Sequence, residues 1–255
     1  MFRFSLNRLR SRSRPHRTRP ARGKFSPGLE CLEDRTVPSF AAPVTYAVGD
    51  KPYNIAAADF NNDGRLDLAL NTVTGVYSLK VLFGNGDGTF SAGSILDGIG
   101  SGPLAAADFN NDGNQDLVNG SGQVLLGNGD GTFQDPLGGD HIWGGPWFVV
   151  VGDLNADHNA DAVISFWLDG WRPIIAVFRG DGAGNLSVPD EYWGYGLGVA
   201  LGDFNEDGFE DMLAGATYFG SNQLALFAGN GTGSFAAPSH FATPFLRMAT
   251  WWPAI

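Results

Sequence analysis

The nine residues D-F-N-N-D-G-R-L-D at 59–67 put oxygen-bearing side chains at the first, third, fifth and ninth places: Asp59, Asn61, Asp63 and Asp67. The pattern returns as Asp108, Asn110, Asp112 and Asp116, then as Asp153, Asn155, Asp157 and Asp161, and finally as Asp203, Asn205, Asp207 and Asp211. Carboxylates crowded in this way repel one another and oppose folding unless a cation sits among them. Calcium takes about 6–8 hard oxygen ligands at about 2.3–2.6 Å. A loop curled around one centre would converge positions one, three and five, with position nine closing the shell. Position seven, occupied by Arg65, Asn114, Asn159 and Phe209, would add its backbone carbonyl. Up to four Ca2+ ions are therefore expected. Gly64, Gly113 and Gly208 at position six supply a turn that a side chain hinders. His158 stands there in the third copy, where a left-handed backbone costs on the order of 1 kcal/mol. That strain, and protonation of His158 beside the ion, are expected to weaken the third site.

Other chemistries fit the residues less well. An EF-hand starts with similar spacing but needs a Glu at position twelve, where this chain has Leu70, Asn119, Ile164 and Ala214. Asn, Asp and Gly also build Asx-type turns that hold no metal, and that alternative stands beside the calcium reading. Neither G-x-x-x-x-G-K-[ST] nor G-x-S-x-G occurs, and the four histidines form no constellation with a nucleophile. Twelve of the 24 acidic residues beyond position 40 already occupy positions one, five and nine of the four motifs. A paired-carboxylate hydrolase is thus disfavoured, and no enzyme is expected.

The motifs must be held by repeating elements, since they recur after 49, 45 and 50 residues. Each is followed by a second shared block: LFGNGDGTF (82–90), LLGNGDGTF (125–133), FRGDGAGNL (178–186) and FAGNGTGSF (227–235). Periods of about 40–50 residues signal propellers, arrays or solenoids. Within the first repeat, NIAAADF (54–60), LDLAL (66–70), LKVLF (79–83) and TFSAGSIL (89–96) are short apolar runs bounded by turn residues, the pattern of strands. Asn-Gly and Asp-Gly in the second block favour the positive φ of tight hairpins. Four strands per repeat make a propeller blade. The apolar residues at position two, Phe60, Phe109, Leu154 and Phe204, are expected to anchor each loop on the core of its blade.

D-x-N-x-D-G-x-x-D followed by a strand and F-G-N-G-D-G-T-F resembles the FG-GAP/VCBS repeat of integrin-α-like β-propellers, four times over between about 44 and 241. The resemblance implies an all-β β-propeller of four recognisable four-stranded blades, forming an incomplete or truncated ring. It also implies that the acidic loop joins the first two strands of each blade and binds calcium. The departures are that only Phe83–Gly84 spells F-G and that His158 replaces the motif glycine. The repeats are placed at about 52–97, 101–137, 146–190 and 196–241, with 242–255 as the start of a further blade. VTYAVG (44–49) is expected to be an outer strand completing the last blade.

Charge divides the chain into two parts. Residues 1–40 hold ten of the sixteen Lys and Arg and only three acids, which leaves 41–255 with six basic and 24 acidic residues, a net of −18. A domain so acidic repels nucleic acid. The Arg-, Ser- and Pro-rich leader is expected to be disordered. Its later segment, PGLECLEDRTVPS (27–39), resembles a leader found ahead of exported bacterial repeat proteins, which implies a secreted or cell-surface location. Cys31 is the only cysteine, so 41–255 can hold no disulfide of its own. No run of 18 apolar residues predicts a membrane span.

Five tryptophans, Trp143, Trp147, Trp167, Trp171 and Trp193, cluster in one stretch. Packing between blades is the expected role, with FWLDGWRP (166–173) as the best candidate for a surface platform. The function expected is a non-catalytic, extracellular, calcium-binding module for adhesion to a protein or glycan. The alternative is the propeller part of an enzyme acting on extracellular polysaccharide.

Overall fold

The computed structural model describes residues 43–48, 51–73, 77–99, 102–139, 144–168, 172–216 and 223–242. The chain divides into two units, Met1–Tyr46 and Ala47–Ile255, and every strand lies in the second. That unit is all-β, with no helix among its described residues, hence none long and apolar enough to cross a membrane.

Sixteen strands form four antiparallel sheets, each a meander of four strands in sequence order. The first holds β1 (Lys51–Ala58), β2 (Asp67–Val73), β3 (Tyr77–Gly84) and β4 (Phe90–Asp97). The second is shorter, with β5 (Leu104–Ala107), β6 (Asp116–Asn119), β7 (Gln123–Leu125) and β8 (Leu137–Gly138). The third holds β9 (Gly145–Gly152), β10 (Asp161–Leu168), β11 (Arg172–Phe178) and β12 (Asp190–Trp193). The fourth holds β13 (Tyr195–Gly202), β14 (Asp211–Ala216), β15 (Gln223–Phe227) and β16 (Ser239–Ala242). The four four-stranded blades expected from the repeats are therefore present, and they do not close into a ring.

Three apolar cores separate the four sheets. Leu79 and Val81 of the first sheet meet Leu104, Leu117 and Leu125 of the second. Val118 and Val124 on the other face of the second sheet meet Ile164, Ile174 and Ala176 of the third. Val163, Ile175 and Val177 in turn meet Met212, Ala214 and Phe227 of the fourth. Alternating residues of β10 and β11 thus serve two cores, which is why both strands read as nearly continuous apolar runs buried on both faces.

Some expectations need correction. Residues 44–48, within the strand expected at 44–49, lie in no strand, although the Val48 carbonyl accepts from Lys80 Nζ at 3.2 Å. Phe60, Phe109 and Leu154 are buried as expected, each in the core that its own sheet shares with the next. Phe204 has no following sheet among the described residues and is 49% exposed. Among the described tryptophans, packing is not the main role either, because Trp147 and Trp193 are exposed and Trp167 is only half-buried. Trp143, Trp171, the leader and residues 243–255 lie outside the described residues.

Candidate functional site

Each acidic motif joins the first strand of a sheet to the second, and all four adopt one geometry. At position one, Asp59 accepts the N–H of Asp63 on Oδ1 (3.1 Å) and that of Gly64 on Oδ2 (2.7 Å). Asn61 Oδ1 also accepts from Asp63 N–H, and Asp63 Oδ1 accepts from Arg65 N–H. Asn61 Nδ2 donates to Asp63 Oδ2 at 3.3 Å. The same bonds recur around Asp108, Asn110 and Asp112. They recur again around Asp153, Asn155 and Asp157, and around Asp203, Asn205 and Asp207. Positions one, three and five are thus brought together, and position seven is tied to position five through its amide. The repulsion expected from the carboxylates is offset by inward-pointing backbone N–H groups, so the loops form chained Asx turns.

The curl requires a left-handed backbone twice. Position four has φ of 57°, 57°, 59° and 61° at Asn62, Asn111, Ala156 and Glu206. Position six has φ of 81°, 87°, 69° and 90° at Gly64, Gly113, His158 and Gly208. His158 therefore follows its siblings despite its side chain, and its N–H still reaches Asp153 Oδ2 at 2.9 Å. A Cβ at Gly64, Gly113 or Gly208 meets nothing within 4 Å, so the substitution strains the backbone without a clash. The imidazole, 96% exposed, lies 3.7 Å from the Asp153 carboxylate.

Position nine has a role beyond the expected ligand shell. Asp67, Asp116, Asp161 and Asp211 are buried, and each carboxylate bridges two backbone amides. Asp116 Oδ2 accepts from Phe109 N–H (2.8 Å) and Oδ1 from Gly127 N–H (2.7 Å). Asp67 binds Phe60 and Gly84, Asp161 binds Leu154 and Gly180, and Asp211 binds Phe204 and Gly229 in the same way. The residue clamps the acidic loop to the first glycine of the second block. That glycine is there for space. A Cβ at Gly84, Gly127, Gly180 or Gly229 would overlap the carbonyl oxygen of Leu66, Gln115, Ala160 or Glu210.

Contacts that the sequence reading missed link each loop to the next sheet. Phe60, Phe109 and Leu154 carbonyls accept the N–H of Gly131, Gly184 and Gly233 in the following repeat, at 2.8, 3.0 and 3.1 Å. Asn62 Nδ2 donates to Asn114 Oδ1 at 2.7 Å, and Asn111 Nδ2 to Asn159 Oδ1 at 2.8 Å. Position four therefore bonds position seven one repeat on; Ala156 and Phe209 break the series. The signal was legible as Asn recurring at those two places, but only the packed sheets show that they meet. Glu210 is a further such contact, with its Oε2 buried and unpartnered and a Cβ at Gly152 running into it.

Burial sets the acid–base behaviour of the clamps. It pushes Asp161 up to about 6, against the pull of the Gly180 and Leu154 amides and with help from the Asp157 and Asp153 carboxylates. Burial raises Asp116 likewise, and it raises Glu210 with added repulsion from Asp153 and Asp161. Each of these groups holds its proton more tightly folded than unfolded. The stability each contributes is therefore complete below the ordinary carboxylate range near pH 4 and is lost as pH rises through the folded value. Asp112 and Asp130, held low chiefly by hydrogen bonds, and Asp157, held low by several hydrogen bonds against the opposing effect of burial, act in the opposite sense only below about pH 4. In EDTA, the protein is accordingly expected to be more stable at pH 5 than at pH 7, by less than about 3 kcal/mol. Urea unfolding at the two pH values checks this, and a lower midpoint at pH 5 would refute it.

The donors of the loops are hard oxygens, with no thiol or thioether, which suits calcium by its chemistry. Among the described residues, no three His, Cys, Asp or Glu side chains are gathered as a ready metal cluster, because the carboxylates face backbone amides. Asp59, Asn61, Asp63 and Asp67, with the Arg65 carbonyl, are the residues that would hold an ion in the first loop, and their counterparts would do so in the other three. No curated protein matches the chain in sequence. Residues 195–235, which span the fourth repeat from β13 through its second block, match the FG-GAP repeat family. Residues 195–235 thus match an FG-GAP repeat, and the same sheet, loop and clamp built four times fit an FG-GAP β-propeller.

Proposed function

We propose that the protein is a non-catalytic binding and adhesion module working outside the cell, with calcium in its acidic loops as a structural staple. An FG-GAP repeat supports a propeller-type binding module. The observation that supports the calcium reading is the fourfold loop, in which the side-chain oxygens of positions one, three and five are drawn together around the same few backbone amides, on residues that are exposed or half-buried. FG-GAP repeats are typically extracellular, and the leader resemblance supports the same location.

Calcium binding is expected to raise the melting temperature. An ion that binds only the folded state stabilises it by RT ln(1 + [L]/Kd), about 2.7 kcal/mol at a hundredfold excess over Kd. For a domain of this size that is about 5–10 °C. Melting curves in calcium and in EDTA that superimpose would overturn the reading. The third loop is expected to be the weakest, because His158 carries backbone strain that the glycines avoid. His158→Gly should tighten calcium binding severalfold by calorimetry, and an unchanged affinity would show that the strain does not reach the ion.

A further inference from the structure

At the end of the sheets opposite the acidic loops, a cleft of about 510 Å3 runs across the starts of three successive sheets. Tyr53, Asn54 and Tyr77 line it from the first sheet, Gly102 and Pro103 from the entry to the second, and Pro146 and Trp147 from the third. Its volume lies within the about 300–1,000 Å3 usual for small-ligand sites.

Two of its aromatics are placed by the same device. The β1–β2 register slips between Pro52 and Asn54, leaving Tyr53 unpaired. The β10–β9 register slips between Ser165 and Phe166, leaving Trp147 unpaired between Pro146 and Phe148. A bulge re-aims a side chain out of the ladder, and bulges concentrate beside functional sites. The result is that Tyr53 is 72% exposed, Trp147 60% and Tyr77 46%. The platform is also fixed. Trp147 lies against Trp167, ring centroids 6.2 Å apart, and Pro146 packs so closely on Gly102 and Gly120 that a Cβ at either would meet it. Asn71 Nδ2, bonded to the Gly102 carbonyl at 2.8 Å, holds the floor.

The lining chooses the occupant. Among the described residues it has three aromatic rings with polar tips, one carboxamide, prolines and glycines, but no Leu, Ile, Val or Met and no charged side chain. An apolar peptide side chain finds no aliphatic pocket among these residues. An anionic polymer would meet a domain carrying a net −18, with no cation among the described lining residues to receive it. A pyranose presents a C–H face that stacks on aromatic rings and a hydroxyl edge that pairs with amide and phenol groups. Aromatics on sheets one and three, with the cleft continuous between them, suit a chain of sugars rather than a single one.

We infer that this cleft binds a neutral oligosaccharide chain, stacked on Trp147, Tyr53 and Tyr77 and hydrogen-bonded by Asn54. The inference rests on the reading of the protein as a binding module and names its ligand class. The full chain in calcium is titrated, by tryptophan fluorescence and calorimetry, with six neutral hexasaccharides built on cellulose, β-1,3-glucan, xylan, mannan, chitin and amylose. Oligosaccharides of alginate and heparin serve as anionic counterparts. At least one neutral chain is expected to bind with a change in tryptophan emission. Trp147→Ala should weaken it about tenfold or more and Tyr77→Ala severalfold, while Trp147→Phe retains most of the affinity and all three variants keep the parent melting temperature. No binding by any neutral chain up to about 10 mM, binding of the anionic chains alone, or affinity indifferent to Trp147→Ala and Tyr77→Ala would overturn the inference. Cleavage of a bound chain, followed by chromatography, would overturn the non-catalytic reading and leave the cleft standing. Superimposed melting curves in calcium and EDTA would remove the calcium staple alone.

Discussion

Asp116→Ala is expected to destabilise the protein by about 3–5 kcal/mol in EDTA as well as in calcium. The carboxylate is fully buried and accepts two short bonds from the Phe109 and Gly127 amides. Its removal leaves two N–H groups that the fold keeps from water, each costing about 1–3 kcal/mol, besides the loss of charge-assisted bonds. Asp116→Asn retains one acceptor and turns an NH2 toward the other amide, so it should fall between parent and alanine. The comparison that separates clamp from ligand is Asp112→Ala at position five, whose carboxylate is exposed. It should cost less than about 1 kcal/mol in EDTA yet diminish the response to calcium. Equal losses for Asp112→Ala and Asp116→Ala in EDTA would show that the position-nine carboxylate is no clamp.

Gly84→Ala should cost about 3 kcal/mol or more, although it adds one methyl group and requires no unusual dihedral. The added Cβ would overlap the Leu66 carbonyl oxygen, which belongs to the backbone just before the clamp residue Asp67. A flexible side chain could swing away; two backbones held by the same carboxylate cannot. Overpacking therefore acts at the upper end of its usual 1–3 kcal/mol. Gly64→Ala is the control: its φ is 81°, but open space surrounds it, so about 1 kcal/mol of backbone strain is the whole expected effect. Denaturant midpoints of the two variants give the ordering, and a Gly64→Ala loss equal to that of Gly84→Ala would contradict the steric account.

The repeat was legible because its chemistry is local. Asp59, Asn61, Asp63 and Gly64 interact within six residues, so their spacing alone specifies the curl, and His158 could be placed in a left-handed turn before any coordinates. The four-stranded sheets were legible for the same reason, since each hairpin joins neighbours in sequence. Contacts between repeats were less so. The Asn62–Asn114 bond spans 52 residues, and nothing in either asparagine distinguishes it from an ordinary turn residue. Phe204 shows the same limit, for it shares its motif position with the buried Phe60 and Phe109, yet burial depends on a sheet standing beside it.

What the sequence alone determined is therefore each loop, each hairpin and their fourfold recurrence, because turn dihedrals and strand alternation are set by residues a few places apart. Only the tertiary structure decided that the first glycine of each second block answers a backbone approach, that Asp116 clamps rather than merely lines its loop, and that Tyr53, Tyr77 and Trp147 border one cleft. Those outcomes depend on how sheets stack and where a ladder slips, and both are set by packing between residues distant in the chain.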